Sequence, residues 1–348
     1  MRNNTLINIE NPAGLTALES KRLLTELSIF LKNESYTSGG SSNQAFTGSF
    51  SALMLGGRVI PRWYTAVSLT PYSSVGYYFQ SSQPVEGNPH ENYDAAFTGS
   101  GGISKVTWSN AYLLSQHWSL GMNISYLFGN IVLSEQQSDL IVDRKMHARA
   151  LYANFGIQYH RALNHDLSYT LGAVYGYRQK LDITNAKYIV NGNAHEKKKQ
   201  RSQKQSLPQY FGIGGSLQCK KWTYALDYAF QQYSSLTSVD SRIEFRDVSE
   251  CRIGACYFPN GYSSDGFWKQ VAYKAGINVS SSYMTINGNT GLSLRFNAGL
   301  SLPVFRGRID TSIFYDRMQL KKGTLNRDVI GATISFTLGE IFYHSKLK

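Results

Sequence analysis

Trp118-Ser119-Leu120-Gly121-Met122-Asn123-Ile124-Ser125-Tyr126-Leu127-Phe128 decides the fold class. Its even positions are all large and apolar or aromatic, while four of its five odd positions are Ser, Gly or Asn. Side chains alternate between two faces in a strand, so this run has one apolar and one small or polar face. The pattern returns from Trp222, where Tyr224, Leu226, Tyr228 and Phe230 alternate with Thr223, Ala225, Asp227 and Ala229. It returns again over 292–302 and 330–338, with Leu294, Phe296, Ile334 and Phe336 on one face and Arg295, Asn297, Thr333 and Ser335 on the other. Each run has about the nine to eleven residues that a tilted strand needs to cross a bilayer. Globular strands are shorter, about five or six residues. The apolar faces often begin or end on Trp, Tyr or Phe, as the interfacial girdles of membrane barrels do. The other face holds few Lys or Glu, which suits a crowded lumen better than a solvated sheet surface.

Composition narrows the choice. Of 348 residues, 42% are hydrophobic, 13% aromatic and 17% charged. No stretch approaches the ~18 apolar residues of a spanning helix, and the aromatic content excludes disorder. What remains is a large soluble β protein or a transmembrane β-barrel. Period-two runs place strands at about 23–32, 45–57, 63–79, 97–115, 117–134, 146–161, 166–183, 206–219, 222–236, 242–258, 268–283, 290–302, 308–320 and 326–343. That is about fourteen, and bacterial barrels require an even number. Long polar connections follow the odd strands of the first half (33–44, 80–96, 135–145, 184–205), and short ones follow the even strands. Pro259–Trp268 breaks the sorting. Long loops on one side and short turns on the other belong to a membrane barrel and have no counterpart in a sandwich. The expected fold is all-β, a transmembrane antiparallel barrel over residues 21–348 preceded by a short segment, 1–20.

Lys and Arg number 35 against 23 Asp and Glu, a net charge of +12 that suits an anionic membrane surface or an acidic partner. Three cysteines are too few for a disulfide scaffold. The start, Met1-Arg2-Asn3-Asn4-Thr5, lacks the apolar region of a signal peptide. With the barrel pattern, this predicts that the export signal and part of the precursor lie outside this sequence.

Asn11-Pro12-Ala13-Gly14-Leu15 before the first strand, the strand count, and the C-terminal run Leu338-Gly339-Glu340-Ile341-Phe342-Tyr343 with its basic tail carry a resemblance. Together they resemble the FadL-type outer-membrane transporters of hydrophobic compounds, in the form found in Bacteroidetes. The resemblance spans nearly the whole chain and implies a bacterial outer-membrane location. It implies that Asn11, Pro12 and Ala13 belong to a hatch folded inside the barrel, here a shorter remnant. It also implies passive uptake of hydrophobic small molecules, such as long-chain fatty acids, with no cofactor.

Pro71 interrupts the third strand. Proline cannot donate to the ladder and marks a bulge or kink. By resemblance, such a kink opens the wall sideways, near Pro71 and Gly76; the plainer reading is a local bulge. The inward faces carry Asp227, Arg252, Lys274, Arg295, Asp310 and Asp316. Charges belong in the lumen because one on the lipid face can cost ~2–4 kcal/mol at mid-bilayer. Two readings stay open for them: an anchor for a substrate carboxylate at Arg295 or Lys274, or opposite charges that pair, for instance Arg295 with Asp310. Lys197-Lys198-Lys199-Gln200-Arg201 and Lys204 sit in the longest expected loop, to meet lipopolysaccharide phosphates or simply water. The basic run has no interleaved aromatic residues to stack bases, which argues against nucleic acid.

No nucleophile elbow, phosphate-binding glycine loop or metal-ligand spacing occurs, and the seven histidines form no catalytic or ligand pattern. The sequence reads as no enzyme and names no catalytic or metal residue; a barrel hydrolase built from dispersed residues is a third reading. The second reading is a non-transporting barrel subunit of an outer-membrane secretion or assembly complex, held to a protein partner.

Overall fold

The opening run lies within a strand of 20 residues, longer than the alternation alone marks. The computed structural model describes all residues except 1, 39–40, 86–87, 138–139, 192–193, 200–201, 237–242, 260–265, 287, 305, 321–325 and 342–348. The basic C-terminal tail and Arg201 therefore lie outside the described residues. The strands are β1 (Arg22–Ser38), β2 (Ser41–Ile60), β3 (Trp63–Val85), β4 (Asn88–Leu113), β5 (Trp118–Gln137), β6 (Leu140–Ala162), β7 (Leu167–Gly176), β8 (Gln179–Asn191), β9 (Ala194–Lys199), β10 (Gln203–Leu207), β11 (Gln209–Cys219), β12 (Trp222–Gln232), β13 (Ile243–Phe245), β14 (Val248–Tyr257), β15 (Ala272–Ser281), β16 (Met284–Ile286), β17 (Gly291–Val304), β18 (Gly307–Leu320) and β19 (Asn326–Ile341).

Each strand pairs antiparallel with its neighbours, and β1 closes on β19 from Arg22↔Ile341 to Thr37↔Asn326. The β7 and β8 segments both pair with β6 and make one stave of the wall. The β9, β10 and β11 segments make the next, with β10 and β11 separated by Pro208. The small β13–β16 sheet stands apart. The wall is therefore a closed barrel of fourteen antiparallel staves.

Burial is inverted relative to a water-soluble protein. Ile213, Leu151 and Ile313 are 63%, 69% and 66% exposed, whereas Ser109, Ser119, Thr107 and Asn123 are buried. An apolar belt facing outward around a polar interior is stable only with lipid outside. Aromatic girdles bound the belt. Trp63 faces Tyr112 near the short turns, and Trp118 and Trp222 pack on Tyr159 and Tyr257 at 4.9 and 4.7 Å. Tyr126–Phe128 and Tyr175–Phe211 contacts mark the other interface. The chain is a bacterial outer-membrane barrel, with the short turns on the periplasmic side.

Three expectations need correction. The segments 33–44, 80–96, 135–145 and 184–205, read as loops from their polarity, fold mostly as strands. Above the bilayer water solvates both faces, so the ladder continues while the apolar alternation that marks strands stops. Lys197–Lys199 thus belongs to β9 rather than to a loop. Also, the stave read from residue 268 begins at Ala272, after a one-turn 3-10 helix, Phe267–Gln270.

Candidate functional site

The N-terminal segment folds inside the barrel. Asn11 caps a 3-10 turn, Pro12–Ala17, by accepting from Ala13 N at 3.1 Å. Proline fits there because its missing donor is one that a first turn leaves unpaired. The Asn11 Nδ2 donates to the carbonyls of Ile157 (3.2 Å) and Ala173 (3.5 Å) on the wall. Asn123 Nδ2 donates to Ile9 O at 2.7 Å, and Thr16 Oγ1 meets Ser119 Oγ at 2.8 Å. Arg308 binds Thr5 Oγ1 at 2.8 Å and Arg252 binds Glu10 at 3.0 Å. Leu15, Leu18 and Ile7 pack with Leu24, Tyr64, Ala66 and Ala111 in a buried cluster near the short turns. The wall makes room through glycines: a Cβ at Gly121 would strike Ala13, and one at Gly156 would strike Asn11 and Pro12. Between hatch and wall a cavity of about 80 Å³ remains, lined by Glu10, Asn11, Tyr210, Asp227 and Arg252 among others.

The wall itself is incomplete at one place. The β2–β3 ladder runs from Ile60↔Trp63 to Leu53↔Leu69 and then stops. Beyond that point β2 pairs only with β1 and β3 only with β4. Both strands bulge as they leave the ladder, β2 at Ser51 and β3 at Tyr72, directly after Pro71. A bulge bends its strand, so two bulges at one level turn the edges apart. Gly76 lies on the unpaired stretch of β3, and a side chain there would meet nothing within 4 Å.

The lumen beside this gap is apolar. Ile103, Leu127, Ala148, Ala150, Leu181 and Leu207 form a buried inner cluster across β4, β5, β6, β8 and β10. Register places Ser73, Tyr77 and Phe79 on the same inward face as Ile103, at rising height. Phe79 stacks on Phe97 at 5.0 Å and meets Tyr77 at 5.8 Å. The other side of the lumen is charged. Arg295 pairs with Asp316 at 2.9 Å, and Arg327 joins at 3.4 Å. Asp310 holds Lys274 at 2.5 Å and Arg308 at 2.7 Å. Arg252 pairs with Glu250 at 2.8 Å. The suggested Arg295–Asp310 pair is replaced by Arg295–Asp316, because the β17–β18 register sets Asp316 opposite Arg295 and Asp310 opposite Ser301. Asp227 closes no ion pair among the described residues, although Arg252 stands opposite it in register. Arg295 and Lys274 are thus already bound to wall carboxylates, which is the arrangement expected of charges inside a membrane protein.

Sequence reasoning missed the partners that come from elsewhere in the chain. Glu10 and Thr5 carry no periodic signal, the alternation puts Gly121 on the small face without naming its neighbour, and only the closed fold brings these residues and Gly156 to the hatch and its wall.

Comparisons with known proteins agree on the architecture. The fold is similar to that of the CymD monoaromatic hydrocarbon channel, with a TM-score of 0.63 at 14% identity, covering 99% of this chain and 95% of that one. It is similar to the Pseudomonas putida toluene transporter TodX (TM-score 0.63, 14% identity, 94% and 92% covered). A Pseudomonas aeruginosa FadL homologue gives 0.61 at 12% identity, covering 98% and 96%. At such identities the likeness is one of fold, and at that level the FadL-type resemblance holds. No curated protein matches in sequence. The model of one protein family, BamG, matches residues 1–341. Built on the FadL-type barrel and matched over almost its whole length, the chain belongs to the BamG family.

Proposed function

We propose that the barrel passively admits hydrophobic small molecules, long-chain fatty acids among them, and releases them sideways into the outer membrane between β2 and β3. One observation carries this reading: the ladder stops at Leu53↔Leu69 where the lumen wall is apolar. Tyr77, Phe79 and Phe97 at the mouth would take the ligand, with Tyr78 on the opposite face of β3. The inward strip leads it to Ile103 and Leu127. The hatch, with Asn11, Pro12 and Ala13 at its centre, lies across the periplasmic half, so a ligand that enters from outside would leave by the gap near Pro71 and Gly76. Transport needs no energy source on this route, since an apolar ligand moves down its own transfer free energy into lipid.

Replacing Pro71 with Ala restores a ladder donor and removes the break in β3. Uptake of a radiolabelled fatty acid into cells or proteoliposomes is expected to fall several-fold with barrel yield unchanged. Unchanged uptake would remove the lateral route.

A second reading is favoured by the same gap: unpaired strand edges are templates for strand addition. A filled, charged lumen with open edges suits a non-transporting subunit of an outer-membrane assembly or secretion complex, whose partner would contribute a strand to β2 or β3. Native mass spectrometry of the detergent-purified protein with lipid extraction separates the two. An apolar ligand bound one to one supports uptake, and a stable second protein on an empty barrel supports the subunit.

A further inference from the structure

The outward face of β6, β8, β9 and β10 carries a basic field directly above the outer aromatic girdle. Ala148 and Ala150 of β6 are buried in the lumen, so Lys145 and Arg149 point outward with the lipid-exposed Leu151. Leu181 and Leu207 are likewise inward, which turns Lys180 on β8 and Lys204 on β10 outward. Register then aligns the field. Arg149 stands beside Phe128 on one side and Asp182 on the other, and Asp182 faces Lys204. Higher up, Lys145 and Lys197 both lie over the ring of Tyr188, at 4.7 and 5.2 Å. Lys145, Arg149, Lys180, Lys197 and Lys204 are all exposed. Only Asp143 and Asp182 oppose them on this face, and none of the five cations closes an ion pair among the described residues.

Five cations against two carboxylates on one face is more than a solvated surface needs, and its height identifies the partner. Below Arg149 the wall continues as Tyr126, Leu151 and Phe155, all exposed to lipid. A molecule whose anionic groups meet the field would lay its acyl chains on that wall. The field is also tall. Arg149 to Lys145 is four residues along β6, about 13 Å at the rise of a strand, and Lys197 stands higher still. One phosphodiester at the membrane surface cannot span this. A headgroup bearing several phosphates on sugars can.

We propose that this face binds a multiply phosphorylated glycolipid of the outer leaflet, with phosphates on Lys145, Arg149, Lys197 and Lys204 and acyl chains against Tyr126, Leu151 and Phe155. The site is independent of the β2–β3 gap, so it stands whichever reading of that gap holds. Charge-assisted contacts to phosphate are the strong kind of hydrogen bond. Their replacement with neutral amides leaves the strands and their pairing intact.

The test uses the full chain in phosphatidylcholine nanodiscs, titrated with diphosphoryl lipid A and read by native mass spectrometry. Binding of about one lipid A per barrel is expected, with at least tenfold weaker binding by the K145Q/R149Q/K204Q variant. K198Q should bind like the parent, because Lys198 points to the opposite face and pairs with Glu196 at 3.0 Å. Lipid A stripped of both phosphates should not bind above background. Heat-modifiable migration on gels checks that each barrel is folded, and K197Q/K204Q serves if the triple variant is not. Undiminished binding by a folded variant would overturn the proposal. So would equal binding of dephosphorylated lipid A, or displacement by equimolar phosphatidylglycerol, which has one phosphate.

Discussion

Asp310→Ala is expected to destabilise the folded barrel by about 3 kcal/mol, near the low end of what breaking a buried ion pair costs. The Asp310 carboxylate neutralises two cations at once, Lys274 at 2.5 Å and Arg308 at 2.7 Å. Its removal leaves Arg308, only 6% exposed as a side chain, without its ion-pair partner, and the buried Glu26 carboxylate nearby offsets its charge only in part. The Thr5 hydroxyl at 2.8 Å still satisfies one guanidinium donor but carries no charge. Lys274 is 36% exposed, so water in the lumen screens it and the loss stays below the maximum. This asymmetry gives the internal control. Lys274→Met should cost less than half as much, because Asp310 keeps Arg308. Urea unfolding in detergent, followed by tryptophan fluorescence and by heat-modifiable migration, measures both. Equal stability of Asp310→Ala and the parent would mean that the charged side of the lumen is fully wet. The same arithmetic explains why these charges survive inside a membrane protein: Asp310 and Asp316 each sit where a cation from another strand reaches them.

The sequence shows the wall far better than what fills it. Alternation at Trp118–Phe128, Trp222–Phe230 and 292–302 was enough for strand, face and lipid exposure, because the bilayer imposes one rule on every lipid-facing position. Pro71 announced a break in β3 for a local reason, the missing backbone donor. Neither signal could say that β2 bulges at the same level, at Ser51, and it takes both bulges to end the ladder. The lumen charges were legible as inward, yet their pairing was not. Register decides it, and register depends on turn length and on bulges that leave no periodic trace. The extensions of β1 to β6 and β8 read as loops for a related reason. Outside the membrane the hydrophobic contrast vanishes although the hydrogen bonds go on. The basic field on β6, β8, β9 and β10 is a product of the fold, which sets residues some sixty positions apart, such as Lys145 and Lys204, on one face of the strands that flank β8.

Filling the wall glycines under the hatch is expected to convert a closed barrel into a conducting one. Gly156 faces Asn11 and Pro12, and Gly121, its partner in the β5–β6 register, faces Ala13. Both are small because the hatch backbone lies against them, not because the strand needs glycine; indeed glycine weakens a strand. A double change to Val improves strand propensity and leaves the ladder whole, so the barrel should still assemble. The hatch cannot stay where it is. Its tip is pinned by Asn11 on Ile157 and Ala173 and by Asn123 on Ile9, and these bonds have no slack for two added isopropyl groups. Once the tip lifts, the exposed Glu10–Arg252 pair is too weak to hold the segment, and the part-buried Thr5–Arg308 contact is a single hydrogen bond. A barrel of this size is wider than the side-chain-filled eight-strand class. Planar-bilayer conductance of Gly121→Val/Gly156→Val is therefore expected to rise at least tenfold over the parent. Gly254→Val is the control: it adds one such side chain to the lumen, yet its Cβ would meet only Ala275 O at 3.6 Å and no hatch atom. It should conduct like the parent. If the folded double variant stays closed, the N-terminal segment is not the element that seals the lumen, and the apolar cluster around Leu127 and Leu207 becomes the barrier that must move for any ligand to reach the gap between β2 and β3.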